Sequence, residues 1–123
     1  MSQTYDFIKE CGIFFVLTLN SDLPAGRPFG AIMEHDNCLY ISTSDTKAVY
    51  KQLTKHNKVQ LVALKNGTRD WIRVSGIATE CVDPAIKQKM LEECPVLTKH
   101  FPSANAPHYN LFQIEITNSE FFS

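Results

Sequence analysis

Two stretches of this chain, Ile13-Phe14-Phe15-Val16-Leu17 and Leu61-Val62-Ala63-Leu64, carry apolar side chains at every position rather than every second one. Side chains of a strand alternate between its two faces. A strand written this way is dry on both sides, and the fold has to cover each side. The rest of the chain reads as short strands separated by turn residues, with helices of about ten residues at the corners. For 123 residues richer in strand than helix, the arrangement that leaves no bare sheet edge is a small closed barrel, with one face of every strand pointing inward. The outward apolar residues then need the chain's own helices or a second subunit. Three short helices are too few to cover them all, so the sequence predicts a homodimer.

Turn and cap residues set the order of the elements. A helix is expected over Gln3 to Cys11, with Ser2 placed to cap it and Gly12 to end it. Ile13 to Leu19 is the first strand, Asn20 to Gly26 a turn or loop, and Arg27 to His35 the second strand. Asp36-Asn37 is a two-residue hairpin signal leading to the third strand, Cys38 to Thr43. Ser44-Asp45-Thr46 starts a second helix, Lys47 to His56, capped by Asp45 or Ser44, in which Val49, Tyr50 and Leu53 share one side. Strands follow over Lys58 to Lys65 and Arg69 to Val82, joined by Asn66-Gly67 as a type I′ turn. Pro84 opens a third helix that runs to Cys94, where Pro95 interrupts or restarts it. Pro102 to Pro107 is loop, and Asn110 to Thr117 alternates as the sixth strand. The expected class is therefore β-rich α+β: six largely antiparallel strands and three short helices in a single domain, residues 1–123.

Several function classes are excluded at this level. Twelve Lys and Arg against thirteen Asp and Glu give a formal charge of −1, so the chain has no overall basic field for nucleic acid or anionic lipid. Any anion site must be local. The five glycines, at 12, 26, 30, 67 and 76, form neither a G-x-G-x-x-G nor a Walker loop. His35, His56, His100 and His108 lack metal-ligand spacing, so no metal site is expected. Cys11, Cys38, Cys81 and Cys94 are too far apart for a zinc or redox pair and read as packing residues. The first residues show no signal-peptide pattern, and no apolar run approaches the ~18 residues of a membrane span. A cytoplasmic location with reduced thiols is expected. Ser44-Asp45-Thr46-Lys47 matches the Ser-x-x-Lys of penicillin-recognising hydrolases, but their other motifs are missing and the chain is too short for that fold.

The same segment has a second reading. Ser42, Thr43, Ser44 and Thr46 cluster where a helix begins, and free N–H groups and the positive dipole end there attract anions. A lysine at a helix N-terminus opposes the dipole by roughly 0.3–1 kcal/mol, so Lys47 suits a site that receives negative charge. It equally suits a solvated stripe with Lys51 and Lys55, and the segment alone leaves the two readings level. Arg27-Pro28-Phe29-Gly30 offers an arginine beside backbone without a side chain, against which a flat ligand could lie. Its bland alternative is a capped turn and a bulge. Trp71 reads as core packing unless a ring stacks on it.

Taken in order, Arg27-Pro-Phe-Gly30, Leu39-Tyr-Ile-Ser-Thr-Ser44, Thr46-Lys-Ala-Val-Tyr-Lys-Gln52 and Trp71-Ile-Arg-Val-Ser-Gly76 resemble the pyridoxamine 5′-phosphate oxidase-related FMN-binding split barrels, above all the small nitroimidazole-resistance-like members. The resemblance implies a six-stranded split barrel that dimerises with FMN in the grooves between subunits. By position, Arg27 and the backbone of Pro28, Phe29, Gly30 and Ala31 would line the flavin ring and ribityl chain. Ser42, Thr43 and Lys47 would hold the phosphate, and Trp71 falls where the family has a flavin-contacting side chain. The implied activity is an FMN-dependent oxidoreductase acting on a small organic or nitroaromatic substrate; a non-catalytic FMN or haem binding or sensing protein is the alternative. The tyrosine-arginine-serine set and the C-terminal tryptophan-arginine segment of the vitamin B6 oxidase proper are not found here, so the resemblance does not extend to that substrate.

Overall fold

The computed structural model describes residues 2–123. Helix α1 (Gln3–Cys11) is followed by strands β1 (Phe14–Asn20), β2 (Leu23–Phe29), β3 (Met33–His35) and β4 (Cys38–Thr43), and then by α2 (Ala48–Lys55). Next come β5 (Lys58–Leu64), β6 (Trp71–Cys81), α3 (Pro84–Glu93), a 3₁₀ turn (Pro95–Lys99) and β7 (Asn110–Phe122). All the strands form one antiparallel sheet in the order β2-β1-β5-β6-β7-β4-β3. Among the described residues, no helix is long and apolar enough to cross a membrane.

The sheet is curled. β1 and β4 stand four strands apart, about 19 Å in a flat sheet, yet Phe14 and Val16 of β1 share one buried cluster with Leu39 and Ile41 of β4. Tyr5 and Ile8 of α1 and Val49 and Leu53 of α2 join that cluster, so two helices plug the barrel with their apolar sides. α3 lies outside. Its Met90, with Cys94 beyond its end, packs on Met33, Tyr40 and Leu111 of β3, β4 and β7 as a second, smaller core.

Local chemistry explains most of the element ends. The Ser2 hydroxyl accepts from the Tyr5 N–H at 3.1 Å, and Gly12 ends α1 at φ +81°, a conformation costly for any side chain. Asp83 caps α3 through the Ala85 N–H at 2.9 Å, with Pro84 in the first turn. Asp36 and Asn37, at φ 50° and 63°, make the type I′ hairpin between β3 and β4.

Four expectations need correction. There are seven strands, because the stretch read as one strand from Arg27 to His35 is divided between the two edges of the sheet. β2 begins at Leu23 after a two-residue turn and ends at Phe29; β3 restarts at Met33 on the opposite edge, against β4. Asn20 to Gly26 was expected as turn or loop, but β2 already runs through Pro24 there, since an edge strand tolerates residues that lack an N–H. Asn66-Gly67 is not type I′: only Gly67 has positive φ, at 75°, and a Thr68 N–H to Lys65 C=O bond of 3.1 Å closes the turn. α2 is capped by neither Ser44 nor Asp45, since Lys47 occupies the cap position without a side-chain bond. β7 runs on to Phe122, past a register shift opposite Ser75 and Gly76.

That shift makes Gly76 indispensable. A Cβ there would lie 2.6 Å from Ile114 Cγ2 and 2.7 Å from the Glu115 carbonyl oxygen, and backbone cannot step aside as a flexible side chain can. Gly76→Ala should cost about 2 kcal/mol or more. Gly26→Ala, whose Cβ would meet Leu17 Cγ at an ordinary 3.5 Å, should cost far less, and paired thermal melts of the two variants check the contrast.

The doubly apolar runs divide as the strand period requires. Phe14, Val16, Leu61 and Ala63 are buried inside. On the outer side Phe15 remains 48% and Leu64 57% exposed, Val62 half-buried between them. α3 covers β3, β4 and β7 but not this face, so the helices of one chain leave its apolar side chains uncovered.

Candidate functional site

Eight residues singled out in the sequence come together. Arg27, Pro28, Phe29, Gly30 and Ala31 from the end of β2 face Ser42 and Thr43 from the end of β4 and Lys47 at the start of α2 across a cleft of about 530 Å³. The seven-strand topology produces this meeting. β2 and β3 are the two edge strands of the curled sheet, and residues 30–32, which connect them, lie beside the end of β4.

The electrostatics of the cleft are one-sided. Its charged lining residues are Arg27 and Lys47, with His100 beside them and no carboxylate. Arg27 is held from the barrel side by three neutral acceptors: its Nη1 donates to the Val16 C=O at 3.1 Å and to Thr18 Oγ1 at 2.8 Å, and its Nη2 to Gln52 Oε1 at 2.7 Å. Burial pulls its pKa down from the ordinary arginine value. The guanidinium is thus oriented and partly desolvated without a counter-charge. Neither Arg27 nor Lys47 forms an ion pair among the described residues.

Thr43 adds an independent sign. It is only 5% exposed, and its Oγ1 is the one buried side-chain polar atom without a hydrogen-bond partner among the described residues. A buried hydroxyl left unpaired costs about 1–3 kcal/mol. Such a group at the wall of a cation-lined cleft suits a ligand that accepts a hydrogen bond from it. Gly30 points the same way: its φ is not positive, and a Cβ would make only an ordinary 3.7 Å contact with Ile13 Cδ1, so the fold does not demand glycine there.

Two features differ from the sequence reading. Trp71 does not join the cleft; it stacks on Phe122 at 4.2 Å, with the Arg73 guanidinium over both rings, on the same outer face as Leu64. In the other direction, Val96, Leu97 and His100 from the 3₁₀ turn complete the cleft wall, and Phe101 follows in the adjoining hollow with Ser44 and Thr46. The signal for them was Pro95, which restarts a turn that places Leu97 and His100 three residues apart on one side. A second groove, of about 560 Å³ along Leu17, Leu19, Pro24, Gln60 and Ile77, has Lys58 as its single charged lining residue and lacks the paired cations of this cleft.

The curled antiparallel sheet places the chain in the split-barrel fold class. The chain belongs to the pyridoxamine 5′-phosphate oxidase family, whose model matches residues 2–122. Members of this family commonly bind flavin and are often dimers. A NimC/NimA family protein from Clostridium acetobutylicum is similar at 30% identity and a TM-score of 0.85, over 96% of this chain and 87% of that one. General Stress Protein 26 from Bacillus anthracis has 18% identity and a TM-score of 0.81, over 97% and 90%. HutZ, the haem storage protein from Vibrio cholerae, has 11% identity and a TM-score of 0.76, over 96% and 89%. The last two likenesses are of fold alone. No curated protein matches the sequence.

The residues present fit a flavin mononucleotide. Its phosphate requires cations and hydroxyl or N–H donors. Lys47, the unpaired Thr43 hydroxyl and the Ser42 hydroxyl supply them at one end of the cleft. Its ring requires a wall without protruding side chains, which the backbone about Gly30 supplies.

Proposed function

We propose that the protein is an FMN-dependent oxidoreductase acting on a small organic or nitroaromatic compound, working as a homodimer with FMN at the subunit interface. The observation that carries this reading is the orphaned Thr43 hydroxyl in a cleft whose only charges are cationic. Lys47, Ser42 and Thr43 hold the phosphate. Arg27 supplies positive charge at the barrel side, and Pro28 to Ala31 bound the ring and ribityl chain. FMN, when bound, supplies hydride or electron transfer; the chain binds and orients it and keeps water from it. No acid or base is assigned, because no titratable side chain other than Arg27, Lys47 and His100 lines the cleft. A second copy on the uncovered face of β1, β5 and β6 is the route by which a Trp71 could reach a flavin. All four cysteines stand as free thiols, which suits the cytoplasm.

A non-catalytic binding protein for FMN or haem is the second reading. It is favoured by His100 in the cleft wall and by the shared fold of the haem storage protein HutZ. Reconstitution decides between them. With FMN we expect a flavin absorbance spectrum and a raised melting temperature, followed by reduction with nicotinamide donors and electron transfer to a nitroaromatic acceptor under anaerobic conditions. A haem spectrum with no response to FMN would favour the alternative. Flavin that binds but never passes electrons on would favour storage.

Thr43→Val gives a sharper check, because its two effects have opposite sign. Removing an unpaired buried hydroxyl should leave the ligand-free protein as stable or more stable by up to about 1 kcal/mol, while FMN affinity falls about fivefold. Melting curves with and without FMN measure both effects.

A further inference from the structure

Asp45 poses a difficulty for an anion cleft. It lies two residues before Lys47, in the connection from β4 to α2 whose neighbours Ser44 and Thr46 line the hollow. A free carboxylate there would repel a phosphate and compete for Lys47. Yet Asp45 does not line either part of the cleft. Its Oδ1 is taken by His108, whose Nδ1 lies 2.7 Å away, and its backbone N–H donates to Asn110 Oδ1 at 2.9 Å.

Both partners are themselves fixed. Asn110 sits opposite Thr43 in the β4–β7 ladder, and its Nδ2 donates to Glu80 Oε2 at 2.9 Å, which turns its Oδ1 toward Asp45. Glu80 Oε1 accepts from the Tyr50 hydroxyl of α2 at 2.7 Å. His108 holds a left-handed backbone, φ 66°, uncommon for a residue with a side chain. Next to it Tyr109 is buried, stacked on Phe101 at 4.9 Å and donating to the Lys87 carbonyl at 2.7 Å. The ring of His108 is therefore delivered to Asp45 by an anchored loop.

Resting on the FMN reading above, we infer that His108 is a positioning residue for the phosphate end of the site: it holds the Asp45 carboxylate away from Lys47, so that the lysine's charge is available to the ligand. The pair is half-exposed, 59% for His108 and 42% for Asp45, so it adds little to stability. Its effect is on where a negative charge points.

The test compares FMN with riboflavin, which lacks the phosphate, by titration calorimetry on the full chain. His108→Ala should weaken FMN about fivefold, the scale of one misplaced charge in a partly exposed site, and leave riboflavin unchanged. Asp45→Asn in the same protein should restore FMN affinity, because the side chain then carries no charge while the backbone bond to Asn110 survives. Equal loss for both ligands, or no rescue by Asp45→Asn, would make His108 an ordinary loop contact and overturn the inference. So would an unchanged FMN affinity in His108→Ala where the parent protein prefers FMN. A parent protein that binds FMN no better than riboflavin would overturn the phosphate assignment itself, and this inference with it.

Discussion

Lys47→Glu is expected to lower FMN affinity by about a hundredfold, roughly 2–3 kcal/mol for reversing a charge beside a phosphate dianion in a partly solvated cleft. The same change at Lys55 is expected to do almost nothing. Both lysines are on or at the start of α2, eight residues apart, which is about 12 Å along a helix. That exceeds the Debye length of about 8 Å at physiological salt. Loss of fold cannot imitate the effect. Lys47 is exposed and makes no side-chain capping bond, and a glutamate at a helix N-terminus is favourable with respect to the helix dipole. Titration calorimetry on both variants, with riboflavin as the phosphate-free control, checks the prediction. Equal losses at 47 and 55 would mean that α2 attracts the ligand as a diffuse basic stripe, and the assignment of the phosphate to the β4–α2 corner would fall.

What the sequence could and could not disclose about this corner follows from the range of each interaction. Lys47, Ser42 and Thr43 were legible because a strand end, a cluster of hydroxyls and a helix start all lie within six residues, where local rules operate. Arg27 and Gly30 were legible as residue types, but their approach to Lys47 depends on β2 and β3 occupying opposite edges of the sheet, a long-range pairing that no local pattern encodes. Hence the single strand expected from Arg27 to His35. Asn20 to Gly26, which holds Pro24, was expected as turn or loop for a related reason: whether a proline is compatible with a strand depends on whether that strand has one neighbour or two.

Side chains whose role depends on tertiary neighbours were the hardest to read. Thr43 was one hydroxyl among four, and only burial without a partner distinguishes it. His100 looked like a surface histidine because Pro95 could equally stop a helix or restart a turn. Trp71 was assigned by resemblance, and in the single chain its ring is occupied by Phe122 and Arg73 instead. The alternation of β1 and β5, by contrast, was fully determined: a period of two cannot hide five successive apolar residues on one face.

Phe15→Asp should convert a dimer to a monomer without unfolding it. Phe15 is on the outer side of β1, between Pro28 of β2 and Val62 of β5, and takes no part in the buried cluster; its neighbours Phe14 and Val16 are completely buried in it. A carboxylate at position 15 is solvated in the monomer but would have to be desolvated in an interface without a partner, a penalty of several kcal/mol that raises the dimer dissociation constant by at least about a hundredfold. Phe14→Asp, one residue away, should instead abolish folding, because the same charge would enter the barrel. Light scattering and thermal melts on the two variants separate the faces. The flavin content of the Phe15→Asp protein then carries the argument further. If FMN is lost with the dimer, the cleft of one chain is an incomplete site, and the uncovered face exists to bring a partner's residues, Trp71 among them, to the flavin. If the monomer keeps FMN at undiminished affinity, Arg27, Thr43 and Lys47 suffice, and the apolar face serves assembly alone.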